Sequence, residues 1–570
     1  MSALQSRSEI RDVVVIGSGA GGATVAHVLT DLGIHVTLLE AGPMLDPYQE
    51  FKEHDWPYSY DHRGAEDGGG RYFGTGKPFG FFATTSGGWD LDGEPYTVAD
   101  DTKDFWWFRS RIVGGRTNHY GRMSFRFADY DLKPRDRDGL GWNWPISYDD
   151  LSPYYDKAEQ FIGVVGSHEG LRSAPDGLFH DPPPPKAHEL LIQRASHKMG
   201  IPCIPNRRAV ITRSINGRPA CHYCGQCGRG CRAGSNYSAS QTQIFPALET
   251  GRLELIDMAM AREILADETG KINGVVYVDK RSGQERRLSC RVLVLAASAC
   301  ESARLLLNSK SPTHPDGVAN SSGVVGRYLM DTVGYDIGGN VPAFEGMPRY
   351  NSDGAGGSHL YMPWWGLDRE NELGFPRGYH IEIGGGYQMP SVGMFGGAAS
   401  RAGYGSAIKE QAYRGYGTQV SFAGRGEMIP NEATYCEIDP NVVDRYGIPV
   451  LRFHFKWSDY ELNQAKHMNS VFSELITSMG GTPQPPGRRD AEGISIGGSI
   501  IHEVGAVRMG DNPQESVLNQ FCQAHDTRNL FVCDAGSFVS NPDKNPTLTI
   551  NALAWRASDY LANEMRRGVL

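Results

Sequence analysis

The clearest hydrophobic pattern in the chain is a short apolar run that is followed by glycines and then by a helix-forming segment. Residues 13–16 are continuously apolar, as expected for a strand that is buried on both faces of a parallel sheet. The pattern then predicts a helix over residues 20–32 and a second strand over residues 35–39. Together these predictions give a strand, a tight turn, a helix and a further strand.

The glycines after the first strand have the spacing of a dinucleotide-binding turn. Gly17 allows the tight turn, Gly19 lets the backbone approach a pyrophosphate, and Gly22 lets the helix pack on the strand. The helix N-terminus favours the phosphates through its unpaired N–H groups and its dipole. Glu40, at the end of the second strand, can accept both ribose hydroxyls. This stretch predicts a dinucleotide site and leaves NAD and FAD open.

The rest of the chain predicts a second domain that interrupts the first. Residues 252–298 alternate like β-strands, and residues 331–482 are rich in glycine and aromatic residues, which predicts an antiparallel sheet. A helix is expected from about Ser152, capped by Asp150 or Ser152. The last residues return to the first domain, with a strand that ends at Asp534.

The predicted fold class is therefore α/β with antiparallel β: a Rossmann-like cofactor-binding domain and an interleaved substrate-binding domain made of an antiparallel sheet. The discontinuous cofactor-binding domain comprises residues 1–60, 105–150, 220–330 and 490–570. The substrate-binding domain and its excursions comprise residues 61–104, 151–219 and 331–489.

The net charge and the composition limit the classes of partner that are expected. A formal net charge of −10 and a pI near 6.0 argue against nucleic acid and against an anionic membrane surface. No apolar run is long enough to span a membrane. The N-terminal MSALQSRSEIR lacks an apolar core and a twin-arginine pair, so no signal peptide of its own is expected. The protein would be cytoplasmic, or periplasmic by co-export with a partner.

Four of the ten cysteines are clustered in ACHYCGQCGRGCR. Cys221, Cys224, Cys227 and Cys231 have the C-x2-C-x2-C-x3-C spacing of bacterial ferredoxins, which predicts a 3Fe–4S or 4Fe–4S cluster. Zinc is a rival at the same ligand count, and a reduced loop without metal is a third interpretation. An iron–sulfur cluster favours a dehydrogenase, because an enzyme that passes electrons to O2 needs no one-electron relay.

Further motifs carry a family resemblance. The glycine pair in GGRTNHYGR and the C-terminal HEVGAVRMG and NLFVCDAGSFVSNPDKNPTLTINALA, with the dinucleotide turn, resemble the glucose-methanol-choline flavin oxidoreductases over essentially the whole chain. The resemblance implies FAD as the cofactor. It implies cofactor contacts at Gly17, Gly19, Gly22, Glu40, Gly114, Gly115, Asn118, His119, Asp534, Pro546 and Thr547.

The resemblance also implies a catalytic pair. His502 in IHEVG and Asn545 in KNPTLT match the family's pair of residues that faces flavin N5. Oxidation of an alcohol requires a base for the hydroxyl proton, which an imidazole can be, while an asparagine can orient the hydroxyl. His119 falls where pyranose oxidases attach FAD covalently, but its flanking residues differ, so a noncovalent contact is the preferred expectation.

Within the family, the chain looks most like the sugar-oxidising branch of glucoside 3-dehydrogenases and pyranose oxidases. This implies an FAD-dependent sugar or glycoside dehydrogenase that oxidises a secondary ring hydroxyl, at C3, with hydride transfer to flavin N5 and electrons relayed through the cluster. A small signal-bearing subunit and a cytochrome-type acceptor are the expected protein partners. The alternatives are an O2-using pyranose or C-glycoside 3-oxidase and a flavin electron-transfer subunit without its own substrate.

Overall fold

The computed structural model describes residues 10–51, 53, 87–89, 91–102, 104–227, 230–347, 354–387, 403–484 and 493–570. The expectations for the N-terminal segment before residue 10 and for the stretch 54–86 fall outside these residues. Among the described helices, none combines the length and the apolar composition needed to cross a bilayer.

The strands, numbered along the chain, are β1 (Ile10–Ile16), β2 (Val36–Leu39), β3 (Gly87–Gly88), β4 (Thr97–Val98), β5 (Arg109–Ser110), β6 (Ile204–Pro205), β7 (Leu253–Ile256), β8 (Ala259–Ala266), β9 (Ile272–Asp279), β10 (Gln284–Leu295), β11 (Val333–Asn340), β12 (Leu360–Met362), β13 (Tyr379–Gly385), β14 (Gln419–Gly426), β15 (Tyr435–Val443), β16 (Pro449–His454), β17 (Thr482–Pro483) and β18 (Leu530–Val532). The α-helices are α1 (Ala20–Asp31), α2 (Pro47–Glu50), α3 (Pro134–Asp138), α4 (Tyr148–Ile162), α5 (Ala187–Lys198), α6 (Phe245–Glu249), α7 (Ala299–Asn308), α8 (Ser406–Gly415), α9 (Asp459–Ser478) and α10 (Thr547–Arg566).

The first sheet has a parallel centre. β1 lies between β2 and β10, all three parallel, and β7 and β18 extend the parallel part at its two sides. The register aligns Ile16 with Leu39 and Leu295, and Leu295 with Val532. The strands β1, β2, β10 and β18 therefore end at the same level, on one edge of the sheet. β8, β9 and the first half of β10 form the predicted antiparallel meander.

The second sheet is antiparallel in the order β17, β11, β14, β13, β12 and β6. Its strands come from residues 204–205 and 333–483, within the ranges predicted for the substrate-binding domain, whereas the first sheet uses only the ranges predicted for the other domain. One face of the second sheet packs on α9 through Tyr335 and Phe422, which leaves the opposite face directed at the first domain. The Rossmann-like and antiparallel fold class is confirmed; the domain boundaries stay predictions.

The helices on the first sheet form its main core. α1 is buried along almost its whole length, and α10 packs against both α1 and α4. The helix expected from about Ser152 is α4, and it begins earlier, at Tyr148. The prediction of an Asp150 or Ser152 cap is wrong, because Ser147 caps the helix. Its Oγ accepts from Asp150 N at 3.2 Å, while the Asp150 carboxylate accepts from Ser147 N at 2.9 Å, which is a capping box.

Candidate active site

A cavity of about 720 Å³ opens at the level edge of the first sheet and extends to the second sheet. The turns that follow the parallel strands contribute Gly17, Glu40, Ala296 and Asp534 to its lining. Ligands of open α/β sheets bind at this edge, outside the carboxyl ends of the strands. The geometry therefore places the predicted dinucleotide turn on this cavity.

The glycines of the turn have separate roles. Gly17 has φ +96°, and a Cβ there would lie 2.3 Å from Ala296 O, so this position requires glycine. A Cβ at Gly22 would lie 1.8 Å from Gly17 O, because helix and strand pack directly here. At Gly19 a Cβ would meet no described atom within 4 Å, although the residue lines the cavity. A ligand close to the backbone would explain glycine at position 19.

Glu40 connects the dinucleotide turn to the rest of the cavity floor. Its carboxylate accepts from Ser18 N at 3.1 Å, from Ser18 Oγ at 2.5 Å and from Gly42 N at 2.9 Å. Burial raises the pKa of Glu40, and the three hydrogen bonds oppose that rise. Ser18 Oγ also accepts from Gly114 N at 2.9 Å, which joins the glycine pair to the dinucleotide turn. The residues present therefore fit the adenosine and pyrophosphate parts of FAD.

The glycine pair starts a short 3-10 turn, Gly115–Asn118. Gly114 and Gly115 both have positive φ, and a Cβ at Gly115 would lie 3.3 Å from Gly19 Cα, so the turn covers the dinucleotide loop. Asn118 does not line the cavity. It donates to Val113 O and Gly115 O, each at 3.0 Å, and so holds the turn in shape. Its effect on a cofactor would be indirect.

His119 lies on the cavity lining beside this turn. Its Nε2 is 3.0 Å from Ser110 Oγ, and its ring packs edge-on against Phe108 at 5.3 Å. Burial, with a smaller contribution from Arg122, lowers the pKa of His119 to about 3. The imidazole is thus neutral, which suits a contact with a cofactor. Whether this contact is covalent stays a prediction.

Asp534, Pro546 and Thr547 line the same cavity from the C-terminal segment. Asp534 accepts from Ser302 Oγ at 2.6 Å and from Ser298 N at 3.1 Å, so it ties the start of α7 to the end of β18. Burial raises the pKa of Asp534 to about 6, against these hydrogen bonds. α10 begins at Thr547, so the N-terminal end of a long helix faces the cavity and favours negative charge there.

His502 and Asn545 meet at the far end of the cavity. His502 Nε2 and Asn545 Nδ2 are 3.4 Å apart, and both residues line the cavity. His502 Nδ1 lies 3.1 Å from Thr332 Oγ1, and its backbone N–H donates to Asp331 at 3.0 Å. Two residues just before β11 therefore fix both the ring and the backbone of His502. The pair that the motifs suggested is adjacent in the fold.

Burial sets the charge state of this site. Burial, followed by the positive charge of Arg425, lowers the pKa of His502 to about 3, while Glu382 opposes the change. The imidazole is therefore neutral over the physiological range and able to accept a proton. The pKa of Asp331 shifts in the opposite direction, because burial and the charge of Glu503 raise it to about 7.

The sequence did not indicate three charged residues opposite this pair, which we call the charged strand cluster: Asp336, Glu382 and Arg425. Arg425 lies 3.4 Å from Glu382 and 3.3 Å from Asp336, and all three line the cavity. Glu382 Oε1 also accepts from Asn545 Nδ2 at 3.2 Å. Burial alone would raise the pKa of Glu382, but Arg425 and His380 lower it below its ordinary value. The cluster thus places charged side chains beside His502 and Asn545.

The period-two alternation of β11, β13 and β14 is the one sequence signal that could have indicated the charged strand cluster. Asp336 pairs with Ala423, and Ala423 pairs with Glu382, so the two carboxylates flank the central strand at one level. Arg425 is two residues after Ala423 on the central strand, β14, so both residues are on the same face of the sheet. The register that brings them together is absent from any local motif.

The described residues of the cysteine loop, 221–227 and 230–231, are not on the lining of the cavity. Tyr223 N donates to Cys221 Sγ at 3.4 Å, and backbone N–H groups of Gln226, Ser235 and Asn236 point at the sulfurs of Cys224 and Cys231. Such N–H donors stabilise thiolates at metal centres. All cysteines of the chain are free. Among the described residues, both in this loop and outside it, no three Cys, His, Asp or Glu side chains are grouped to bind one metal ion.

We predict that Gly19→Ala and Gly22→Ala separate cofactor binding from folding. The Gly22 variant should lose about 1–3 kcal/mol of unfolding free energy, because its Cβ overlaps the backbone of Gly17. The Gly19 variant should unfold like the wild type as apoprotein, yet retain less flavin, since its Cβ projects only into the cavity. Thermal unfolding of both apoproteins and flavin absorbance per chain would test this; equal unfolding temperatures would contradict it.

We also predict that protonation of His502 does not lower the rate of substrate oxidation at mildly acidic pH. With the pKa of His502 lowered to about 3, the imidazole is already unprotonated well below neutrality. The rate of flavin reduction by substrate, measured by stopped flow, should not rise between about pH 5 and about pH 8 through titration of this group. Because burial raises the pKa of Asp331 to about 7 and that of Asp534 to about 6, a rise with an apparent pKa near the ordinary histidine value of about 6.5 would refute the assigned environment of His502 if Asp331→Asn and Asp534→Asn both retain it.

Comparisons with known proteins agree with this geometry. The chain is 30% identical over 97% of its length to 2-methyl-1,2-propanediol dehydrogenase of Mycolicibacterium austroafricanum, and covers 95% of that protein. It is 26% identical to the fructose dehydrogenase large subunit of Gluconobacter japonicus, with 98% of each chain covered. The crystal structure of pyridoxine 4-oxidase from Mesorbium loti has the same fold, with a TM-score of 0.63 at 14% identity over 97% of this chain and 99% of that one.

Family models give the same result at both ends of the chain. The N-terminal model of the GMC oxidoreductases matches residues 12–333, and the C-terminal model matches residues 430–554. The first match includes the dinucleotide turn and the glycine pair, and the second includes His502 and Asn545. This family implies FAD, which the lining of the cavity fits. The chain therefore belongs to the GMC oxidoreductase family, and it is an oxidoreductase of the kind that acts on alcohol or sugar hydroxyls.

Proposed function

We propose that the protein is an FAD-dependent dehydrogenase that oxidises a secondary ring hydroxyl of a sugar or glycoside to a ketone. The observation that carries the proposal is the position of His502 and Asn545 on the cavity that also holds the dinucleotide turn. The charged strand cluster lies on the same cavity and supplies polar groups for a substrate with several hydroxyls. Oxidation at C3 rests on the resemblance to glucoside 3-dehydrogenases alone.

Bound FAD would supply the hydride acceptor; the protein side chains manage the proton and the orientation of the substrate. The hydroxyl proton goes to His502 Nε2, because Nδ1 is directed at Thr332 Oγ1 and can donate its own proton there. The same Nε2 is within reach of Asn545 Nδ2, so a substrate oxygen at this point would contact both residues. His502 acts as the base, and Asn545 orients the hydroxyl.

Glu382 supports the pair from the side of the second sheet. It accepts from Asn545 Nδ2, which limits how the amide can rotate, and its charge favours the protonated imidazole that forms during the reaction. Arg425 balances Glu382, so the carboxylate remains charged without a compensating proton. Glu382 is thus a positioning residue for Asn545 and an electrostatic partner of His502.

A sugar fits the rest of the cavity. Trp89, Trp106 and Phe108 line it near His119, and aromatic faces pack well against the C–H faces of pyranose rings. Asp336 and Arg425 are hydrogen-bonding groups of opposite charge within 3.3 Å of one another, and they can bind neighbouring hydroxyls. The name of a full-length relative, fructose dehydrogenase large subunit, agrees with a sugar substrate and with a catalytic chain that works beside other subunits.

We further propose an iron–sulfur cluster held by Cys221, Cys224, Cys227 and Cys231. The support is the ferredoxin spacing and the N–H donors directed at three of the sulfurs, although the described side chains of the loop are not grouped to bind one metal ion. The cluster would supply one-electron transfer to an acceptor such as a cytochrome, delivered by a partner subunit. The principal alternative is an oxidase that uses O2 and keeps the cysteine loop for structure or zinc.

We predict that His502→Ala lowers kcat by about 10²–10⁴-fold while the flavin stays bound, because the variant lacks the general base. Glu382→Gln should lower kcat by about tenfold, or ~1.4 kcal/mol, because it removes the charge beside His502 and keeps the hydrogen-bond acceptor for Asn545. Stopped-flow flavin reduction with a panel of glucosides and monosaccharides would measure both. Near-normal reduction by His502→Ala would remove this residue from the mechanism.

The choice between dehydrogenase and oxidase has its own test. We expect anaerobically purified protein to contain iron and acid-labile sulfide, and its EPR signal to change when a glucoside is added. Turnover should be fast with a one-electron dye and slow with O2. Protein without iron that forms stoichiometric peroxide from the same sugar would instead establish the oxidase. Flavin that no sugar, glycoside or diol reduces would favour an electron-transfer subunit without its own substrate.

A further inference from the structure

His380 lies directly behind Glu382 on strand β13. The two residues are two positions apart on a regular strand, so their side chains are on the same face of the second sheet. Glu382 lines the cavity, whereas His380 is not on its lining and is only 2% exposed. The imidazole is therefore the inner neighbour of the carboxylate that accepts from Asn545.

One ring nitrogen of His380 is bound to the segment that carries Asn545. Nδ1 contacts the backbone carbonyl oxygen of Asp543. A carbonyl oxygen only accepts hydrogen bonds, so Nδ1 carries a proton. The ring packs edge-on against Phe125, with 4.9 Å between ring centres, and against Tyr361, with 6.2 Å. Turning the ring over would put a carbon where each nitrogen lies, so the contact with Asp543 fixes the orientation of the ring.

The other ring nitrogen of His380 faces a carboxylate. Nε2 lies 3.6 Å from Glu382 Oε1, which is within ion-pair range and longer than a hydrogen bond. Burial would raise the pKa of Glu382, but Arg425 and His380 lower it below its ordinary value, so the carboxylate is charged. A neutral ring with its proton on Nδ1 would direct the lone pair of Nε2 at this anion. An imidazolium, with a proton on each nitrogen, is attracted to it instead.

A second buried histidine provides the contrast. His359 is also 2% exposed, and its Nδ1 donates to Pro184 O at 2.7 Å. Burial lowers the pKa of His359 to about 4, with smaller contributions from the positive charges of Lys186 and Arg208, so its ring is neutral. Both histidines contact a carbonyl through Nδ1. Among the described residues, only His380 of these two has a carboxylate oxygen in ion-pair range of its ring.

The charges around Glu382 also favour a cation at His380. The charged strand cluster has two carboxylates and one guanidinium, so an imidazolium beside it balances the second carboxylate. The other charged residues that line the space beside the His380 ring are Arg126, Arg207, Asp543 and Lys544. Each of the three cations has a carboxylate partner of its own: Glu159 for Arg126, Asp176 for Arg207 and Asp131 for Lys544. These cations therefore add little net positive charge next to His380.

We propose that His380 is a positively charged positioning residue that holds Glu382 in place for its contact with Asn545. The inference rests on the proposed function, in which Asn545 orients the substrate hydroxyl. Nδ1 ties the ring to the backbone two residues before Asn545, and Nε2 attracts the oxygen that accepts from Asn545 Nδ2 at 3.2 Å. Without this cation the carboxylate could rotate towards Arg425, which lies 3.4 Å from its other oxygen. The Asn545 amide would then lose its fixed orientation beside His502.

The charge of His380 can be tested without a substrate. We expect proton–nitrogen correlation spectra of the holoenzyme, labelled with nitrogen-15 in histidine and recorded near neutral pH, to show a proton on both ring nitrogens of His380. The signals are assigned by their loss in His380→Gln. His359, assigned in the same way with His359→Gln, is the matched control and should show one protonated nitrogen. An unprotonated Nε2 in His380 would overturn the inference, whether or not any sugar reduces the flavin.

The action through Glu382 is tested by a double-mutant cycle. His380→Asn keeps a donor for Asp543 O and cannot reach Glu382, whereas His380→Gln keeps a neutral donor near Glu382. With the sugar or glycoside that reduces the wild-type flavin fastest, His380→Asn should lower the limiting rate of flavin reduction about tenfold and the apparent affinity for the sugar less than about threefold. His380→Gln should lower that rate only about threefold. Combined with Glu382→Gln, neither change should slow reduction further by more than about twofold, because no charged carboxylate remains to be positioned.

The outcomes separate this inference from the proposed function. Flavin content and unfolding temperature are measured first for every variant. An unchanged rate in His380→Asn, or an equal loss of rate in the wild-type and Glu382→Gln backgrounds, would overturn the inference and leave the function intact. Flavin that no sugar or glycoside reduces would overturn the function, and the spectra would still decide the charge of His380. If His380→Asn does not fold, the cycle is made with His380→Gln, and equal losses in the two backgrounds would again overturn the inference.

Discussion

The level ends of the four parallel strands are the constraint on which the rest of the structure depends. Parallel pairing aligns Ile16, Leu39, Leu295 and Val532, so the turns that follow them emerge at one edge of the sheet. These turns contribute Gly17, Glu40, Ala296 and Asp534 to the lining of one cavity, although the four residues come from distant parts of the chain. The cofactor site is therefore a product of strand register, and each turn contributes one part.

The second sheet adds the charged residues that lie beside His502 and Asn545. One of its faces is committed to packing on α9, so polar residues on the other face become the cover of the cavity. The low dielectric constant of the interior strengthens the effect of these charges. Arg425 lowers the pKa of His502 and Glu382 raises it. The same two residues could also recognise hydroxyls. A neutral imidazole and a charged carboxylate thus both lie within hydrogen-bond distance of Asn545.

The sequence by itself determined the local features of this protein. The first strand, the glycine turn, α1, and the motifs around His502 and Asn545 were predictable, because short-range spacing encodes backbone conformation and local hydrogen bonds. Only the tertiary structure decided which distant residues meet. The charged strand cluster depends on the pairing register of β11, β13 and β14, and the role of Asn118 in holding its own turn depends on contacts with that turn. The low pKa of His502 is likewise a property of the packed interior, because burial and Arg425 lower it, and both effects depend on neighbours in space and not on neighbours in sequence.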